Sequence, residues 1–148
     1  MTIANDLSKS VIFPLGEKIT NNYFIGDAYL QMIVSKPTTS TGAVGNVTFA
    51  PGARNNWHSH TKGQTLFITG GEGWYQEEGK PAEKLVAGTV KVIPANVNHW
   101  HGATSDSWFV HLAIAPGTTK WQGPVDDQQY IDAENGEAVF ETKGENDG

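Results

Sequence analysis

The chain has 148 residues, which fits one domain with enough length for a sizeable hydrophobic core. Its formal net charge is -6, from sixteen acidic and ten basic residues, and this balance argues against nucleic acid or an anionic membrane surface as a partner. The lack of cysteine excludes disulfides and thiolate metal sites.

The N-terminal segment, residues 1–20, is mixed in composition and carries one apolar patch, formed by Val11, Ile12, Phe13 and Leu15. We interpret it as a strand-like arm that becomes ordered by packing, for instance on a partner subunit. It has no apolar run long enough for a signal peptide, and no stretch of the chain approaches the roughly 20 apolar residues of a membrane span. A cytoplasmic protein without a membrane partner is therefore expected.

Short strand-like runs, separated by turn residues, fill the middle of the chain. Residues 23–34 predict one or two strands with a turn near Gly26-Asp27, and residues 35–42 predict a loop. Later strands are predicted at residues 43–49, 64–69, 73–76, 82–85, 89–93, 99–103 and 108–114. Gly70-Gly71 is expected to end the strand at residues 64–69. Many short strands at this spacing predict an all-β sandwich or barrel.

The C-terminal part predicts a short helix over residues 124–130, with Asp126 near its start. Residues 134–148 are acidic and rich in glycine, so we expect a flexible tail there. No internal repeat is visible. We therefore expect a single domain over residues 1–148, with a barrel core at about residues 22–116.

All five histidines lie between His58 and His111, and this clustering is the first sign of a site. Residues two apart in a strand point to the same side, so His58 and His60 could share one ion. Gln64 follows a short bend and could offer its amide oxygen, and His99 would come from a neighbouring strand. Three imidazoles and an amide oxygen suit Mn, Fe, Co, Ni, Cu or Zn better than Ca or Mg.

The segment that contains His58 and His60 resembles the first motif of the cupin family, G-x5-H-x-H-x3,4-E-x6-G. Gly52, His58, His60 and Gly71 fall in register, and Gln64 stands in the place of the glutamate. The exchange removes a negative charge from the ligand set. A divalent ion held there would be a stronger Lewis acid and a poorer stabiliser of oxidised iron.

The segment around His99 resembles the second cupin motif, G-x5-P-x-G-x2-H-x3-N. Gly88, Pro94 and His99 match, Asn96 replaces the glycine, and Ala103 replaces the asparagine. Asn96 is expected to keep the turn, because asparagine tolerates positive φ. The resemblance covers about residues 43–115. It implies a double-stranded β-helix, or cupin jelly-roll barrel, and a homodimer or tetramer with exchanged N-terminal strands.

Two histidines remain outside the proposed ligand set. His101 lies two residues after His99 and should point to the same interior, and His111 shares a strand face with Phe109 and Ala113. Histidines beside a Lewis-acidic metal suggest proton transfer near neutral pH. The alternative is that they orient a ligand or are core histidines whose hydrogen bonds are satisfied.

The stretches PGARNNWHSHTKGQTLFITGGEGWYQ and NHWHGATSDSWFVHLAIAP resemble a narrower group, the manganese-dependent (R)-selective hydroxynitrile lyases among small bacterial cupins. The resemblance implies cleavage or formation of cyanohydrins from an aldehyde and cyanide. The cofactor would be one divalent metal, Mn²⁺ first, with Fe²⁺, Ni²⁺ and Zn²⁺ as alternatives. It also implies site residues by role: metal ligands His58, His60, Gln64 and His99, acid/base histidine His101, and a further pocket histidine, His111.

The remaining predictions concern the pocket and its surroundings. If strand parity holds, Thr48 and Thr65 face outward or toward a partner sheet, and the pocket is shaped by Val47, Phe49, Leu66, Ile68, Phe109 and Trp100. Trp57 and Trp100 flank ligands, so each either lines the pocket or, as we favour, packs outside the barrel. Arg54 either contacts an anionic group or forms a surface salt bridge.

Two other classes of function stay open. One is another small metal enzyme, namely a dioxygenase, decarboxylase or isomerase of a small oxygenated compound. The other is a non-catalytic protein that binds a small molecule in the barrel. In every case a small molecule is the expected partner.

Overall fold

The structure is a computed structural model that describes residues 12–35 and 42–136. It confirms the predicted all-β architecture, because antiparallel strands form a curled jelly-roll sheet and a short helix follows them. The helix, α1, is Asp127–Glu134. In the described ranges, no helix is both long and apolar enough to cross a membrane. The strands are β1 (Glu17–Lys18), β2 (Phe24–Ile25), β3 (Ala28–Val34), β4 (Ala43–Phe49), β5 (Arg54–Asn55), β6 (His58–His60), β7 (Gln64–Glu77), β8 (Glu83–Val86), β9 (Val90–Ile93), β10 (His99–Ala103), β11 (Phe109–Ala115) and β12 (Thr119–Trp121).

The sheet has two faces that share β7. The first face has the order β1-β3-β4-β11-β7-β9, and in it the N-terminal half of β7 pairs with β9 and β11. In the second face the C-terminal half of β7 pairs with β8 and β10. The other side of β10 pairs with β5 and β6, and β12 pairs with β6. The histidine-bearing strands β6, β10 and β11 are therefore all within one or two strands of β7.

The predicted break at Gly70-Gly71 is wrong, because β7 runs through it as one strand of 14 residues. Gly71 has φ +67, and the register of the partner strand β11 shifts between Val110 and His111 at this level. A bulge with a left-handed glycine bends a strand without ending it. This bend carries β7 from one face to the other.

Most other boundaries agree with the predictions to within one or two residues. The turn after β2 lies at Gly26, as expected, and Asn96 has φ 64, which confirms that it takes the conformation of a glycine. The strands β1, β5 and β12 have two or three residues each and were not predicted. Val11 and most of the predicted loop, residues 36–41, lie outside the described residues.

The helix α1 starts three residues later than predicted. Asp126 caps it, since its Oδ1 accepts from the Gln129 N–H at 2.8 Å while the Gln129 Oε1 accepts from the Asp126 N–H at 3.1 Å. Glu134 ends the helix and accepts from the Trp74 Nε1–H at 3.0 Å, so the tail does not begin there as expected. The remainder of that tail, residues 137–148, lies outside the described residues.

Two hydrophobic clusters hold the fold together. The interior cluster includes Phe49, Leu66, Ile68 and Phe109, with Val47 packed against it, as predicted for the barrel interior. The second cluster lies outside the barrel and consists of Trp100, Val125, Tyr130 and Ala133, with Trp57 and Trp74 packed against it. The alternative that Trp100 shapes the pocket is therefore wrong. Thr48 is 1% accessible and lies between Tyr29 and Val110 in the middle of the first face, so it is not exposed to solvent.

Candidate metal centre

Three buried histidines from two adjacent strands form one cluster. His58 and His60 lie on β6, and His99 on β10 is the direct cross-strand partner of His58. The ring centroids of His58 and His99 are 4.3 Å apart, and those of His58 and His60 are 4.9 Å apart. One nitrogen from each ring lies within 4.8 Å of the others, so the three could hold a metal ion. The predicted two-residue spacing thus does place both β6 histidines on the side that faces His99.

Backbone hydrogen bonds fix two of the three imidazoles. The His58 Nδ1–H donates to the Asn56 carbonyl oxygen at 2.8 Å, and the His99 Nδ1–H donates to the Val97 carbonyl oxygen at 2.9 Å. A carbonyl oxygen can only accept, so the proton of each neutral ring is on Nδ1 and Nε2 keeps its lone pair. The third ring, His60, has its Nδ1 at 3.0 Å from the Thr119 Oγ1.

Unpartnered buried acceptors mark the centre of the cluster. Within the described part of the chain, His60 Nε2, His99 Nε2 and Gln64 Oε1 are buried and have no hydrogen-bond partner. Gln64 is the first residue of β7, and its side chain interacts with His60 and raises the pKa of that imidazole, although burial outweighs this effect. Buried acceptors normally find a donor. A divalent transition metal satisfies several acceptors at once, and nitrogen with neutral oxygen is a donor set that such metals accept. The residues present therefore fit a metal.

The electrostatic environment keeps these imidazoles neutral. Burial, followed by the neighbouring His99, holds the pKa of His58 well below its usual value. Burial lowers the pKa of His60, and it lowers the pKa of His99 to about 4. Neutral imidazoles at pH 7 have the lone pairs that metal binding requires.

The two further histidines of the sequence lie beside the cluster and contact each other. The His101 ring stacks on His99 with centroids 5.7 Å apart and planes at 19°. Its Nδ1 is 3.1 Å from the Nε2 of His111, a hydrogen bond between two buried imidazoles. Burial and then His111 hold the pKa of His101 well below its usual value, and burial lowers the pKa of His111 to about 3.

Three residues at the site were not predicted. Asn55 accepts the His101 N–H at 2.9 Å through Oδ1, and its Nδ2 lies 3.3 Å from the Nδ1 of the same ring. Trp121 lies opposite His58 in the β6–β12 pair, with ring centroids 4.7 Å apart, and Thr119 contacts His60. No motif carries these residues, and the strands that hold them are too short for a periodicity to show.

The residues that flank the cluster on the other side of the sheet have structural contacts. Trp100 packs outside the barrel, as we favoured, and is fully buried in the second hydrophobic cluster. Its Nε1–H donates to the Gln76 Oε1 at 2.8 Å. Arg54 forms the expected salt bridge, with an exposed partner, but the arginine itself is buried, at 5% exposure. The guanidinium donates to the Val125 carbonyl oxygen at 2.8 and 3.0 Å and pairs with Asp127 at 2.9 Å.

Comparison with known proteins agrees with this geometry. The cupin domain family matches residues 45–115. An (R)-mandelonitrile lyase from Granulicella tundricola is 37% identical over 113 residues, which cover 74% of this chain and 86% of that protein. The crystal structure of a cupin-like protein from Thermotoga maritima is 42% identical, with a TM-score of 0.79 over 82% of this chain and 96% of that one. A predicted oxalate decarboxylase from the same organism, 22% identical over 66% of this chain and 88% of its own, has the same fold with a TM-score of 0.60.

Proposed function

The chain belongs to the cupin family, and from this premise we propose that it is a metal-dependent lyase that cleaves and forms cyanohydrins. The observation that carries the proposal is the His101–His111 pair, which is buried against the three-histidine cluster without being part of it. The (R)-mandelonitrile lyase that is 37% identical to this chain supports the same class of reaction.

Four neutral side chains would hold the metal. His58, His60 and His99 would bind through Nε2, and Gln64 would bind through Oε1. A divalent ion held by neutral ligands keeps its charge and supplies Lewis-acid polarisation of a substrate oxygen. We propose Mn²⁺ as the native ion, while Fe²⁺, Ni²⁺ and Zn²⁺ suit the same donor set.

His101 would act as the general base. It is neutral at pH 7, because burial and His111 hold its pKa low, so its lone pair is available. The low pKa makes it a weak base, and it would take the proton from a cyanohydrin hydroxyl whose own pKa is lowered by binding to the metal. Its Nδ1 lies 3.1 Å from the Nε2 of His111, so we propose that its own Nε2, which lies 3.4 Å from the Asn55 amide nitrogen, takes the proton. As the carbon–carbon bond breaks, cyanide leaves with the electron pair and the carbonyl forms. His101 can then return the proton to the cyanide, which balances the reaction.

His111 and Asn55 would hold the base in place. The 3.1 Å contact between His111 and His101 allows the pair to share the added proton. Asn55 fixes the backbone of His101 and covers the side of its ring. Phe49 and Phe109 lie against His111 with ring centroids at 5.5 and 5.4 Å, and these apolar rings exclude water from the pair.

The first test is cleavage of mandelonitrile by protein loaded with Mn²⁺, compared with the variant His101→Ala. We expect about one metal per chain in both proteins, and a fall in kcat of roughly 10²- to 10⁴-fold in the variant, the usual contribution of a general base. The variant His111→Ala should lose less, because it acts through His101.

Three results would contradict the proposal. The first is the absence of metal after expression with added Mn²⁺. The second is a loaded protein that does not cleave mandelonitrile, and the third is a His101→Ala variant with unchanged kcat. Oxygen uptake with catechols or diketones would instead favour a dioxygenase, and a ligand-induced thermal shift without turnover would favour a binding protein.

A further inference from the structure

The three clustered imidazoles differ in what fixes their Nδ1 atoms. His58 and His99 each donate to a backbone carbonyl two residues earlier in the chain. The Nδ1 of His60 instead contacts a side chain, the Thr119 hydroxyl on β12. We infer that Thr119 is a positioning residue, which holds His60 in the tautomer that binds metal. This inference rests on the proposed metal-dependent function.

The register of β12 places Thr119 on the correct side of the sheet. In the antiparallel pair with β6, Thr119 lies directly opposite His60, and Trp121 lies directly opposite His58. Direct cross-strand partners project to the same face. Both side chains of β12 that face inward therefore contact a ligand of β6, the first by a hydrogen bond and the second by ring packing.

Backbone bonds hold this short strand at both ends. At one end the Thr61 N–H donates to the Thr118 carbonyl oxygen at 2.9 Å. At the other end the Gln122 N–H donates to the Trp57 carbonyl oxygen at 2.8 Å, and the Trp57 N–H donates to Gly123 at 3.0 Å. The position of the Thr119 hydroxyl is thus set by the strand pairing rather than by a free loop.

The direction of the Thr119 hydrogen bond decides whether His60 can bind a metal. A hydroxyl can donate or accept, whereas the backbone carbonyls at His58 and His99 can only accept. When the His60 Nδ1–H donates to Thr119 Oγ1, Nε2 keeps a lone pair that points into the cluster. If the proton moved to Nε2, the nearby Gln64 oxygen would accept it, and both atoms would be lost to the metal. An acceptor at Nδ1 therefore favours the ligand form.

Of the three histidines, His60 is therefore the one whose tautomer depends on the side chain of another residue. No substitution removes a backbone carbonyl, so the tautomers of His58 and His99 do not depend on a neighbouring side chain. Thr119 is an exposed residue on another strand, and a single substitution changes the acceptor it offers. Residues that hydrogen-bond to a metal ligand typically account for about 10- to 100-fold in metal affinity.

The first experiment measures Zn²⁺ affinity by competition with a chelator for the wild type and three variants at residue 119. Thr119→Val keeps the shape of the side chain and fills the place of the hydroxyl, so we expect about a 10- to 100-fold loss of affinity. Thr119→Ser keeps the acceptor and should bind as the wild type does. Thr119→Ala leaves room for water and should lie between the two.

Thr118→Val is the matched control. Thr118 is the adjacent residue on the same segment, and its hydroxyl contacts the Thr61 hydroxyl at 3.4 Å rather than a histidine. Its affinity should equal that of the wild type. A loss as large as in Thr119→Val would show that the segment is merely disturbed, and this would overturn the inference.

The second readout is the set of imidazole proton resonances in the Zn²⁺-loaded protein. The three ligand histidines should each give one Nδ1–H signal in the wild type, and in Thr119→Val only that of His60 should shift or be lost to exchange. Equal changes at His58 and His99 would indicate a structural effect and would overturn the inference. If the wild type itself binds no Zn²⁺, the proposed function fails. If the wild type and Thr119→Val bind equally, the inference about Thr119 fails and the proposed function stands.

Discussion

The two sides of β10 show two kinds of burial in one five-residue strand. His99 and His101 face the interior, Trp100 faces outward, and all three are at most 3% exposed. On the outer side the Trp100 Nε1–H is paired with Gln76. On the inner side the His99 Nε2 has no partner among the described residues.

The polar groups around the outer cluster, defined by Trp100, Val125, Tyr130 and Ala133, are likewise paired. The Tyr130 hydroxyl donates to the Ala103 carbonyl oxygen at 2.7 Å, and Arg54 is fully engaged with Val125 and Asp127. Satisfied polar groups of this kind hold α1 on the sheet. Unsatisfied buried acceptors cost stability, so the convergence of His60 Nε2, His99 Nε2 and Gln64 Oε1 at one place fits a bound ion.

The largest expected effect is the loss of metal in His99→Ala. Metal content should fall from about one per chain to about zero, because a three-histidine set loses a ligand. The metal-free variant loses the bond from His99 Nδ1–H to the Val97 carbonyl oxygen and some buried packing, but it should remain folded, since the deleted Nε2 had no partner to leave behind. Elemental analysis checks the loss of metal, and urea unfolding checks that the variant stays folded. A variant that unfolds without metal would break the contrast between the sides of β10.

Trp100→Ala is the converse experiment. Truncation of a fully buried tryptophan should lower the free energy of unfolding by about 3–5 kcal/mol. The fraction that stays folded should keep about one metal per chain, because the indole lies on the side away from the cluster. Trp100→Phe, which keeps most of the packing, is the control and should lose less. Loss of metal from folded Trp100→Ala would show that the two sides are coupled.

Acid should weaken the metal-free fold through the inner side. Burial lowers the pKa of His111 to about 3, so below about pH 6.5 the unfolded chain binds a proton that the folded chain does not. The stability that the depressed pKa of His111 accounts for is therefore fully present above that pH and is lost as the pH falls. Between pH 7 and 5 one such histidine accounts for roughly 2 kcal/mol. His111→Gln should lose about this share of the pH dependence in urea unfolding. An unchanged pH dependence would mean that His111 is not held neutral.

The smallest effect is expected at the N-cap of α1. Asp126→Ala removes the acceptor for the Gln129 N–H and should cost about 1 kcal/mol of unfolding free energy. Metal content should not change, and Asp126→Asn, which keeps a capping oxygen, should be close to the wild type. If Asp126→Ala lowers metal content, α1 supports the site and not only the sheet.

Much of the site could be predicted because its residues obey strand parity. His58, His60 and His99 lie at positions that alternate within strands, and the same rule places His101 and His111 beside them. The motif spacing also predicted the left-handed turn at Asn96. These features are local, and local periodicity is visible in a single sequence.

What could not be predicted depends on contacts between distant segments. Thr119 and Asn55 contact their histidines from strands of two or three residues, where no alternation can be seen. The burial of Arg54 could not be predicted, because its partners, Val125 and Asp127, lie about seventy residues further on. The run through Gly70-Gly71 was missed because a glycine pair bends a strand as readily as it ends one.

The passage of β7 through both faces has a consequence for how the barrel can move. Because β7 pairs within both faces, the faces are joined along this strand and cannot part without breaking its pairings. Fluctuations of low free energy are expected in short edge elements instead, and β12 has three residues and, among the described strands, pairs only with β6. We therefore expect fraying of β12 to set how readily the interior exchanges with solvent. Since Thr119 lies in that strand, access to the interior and support of His60 would vary together.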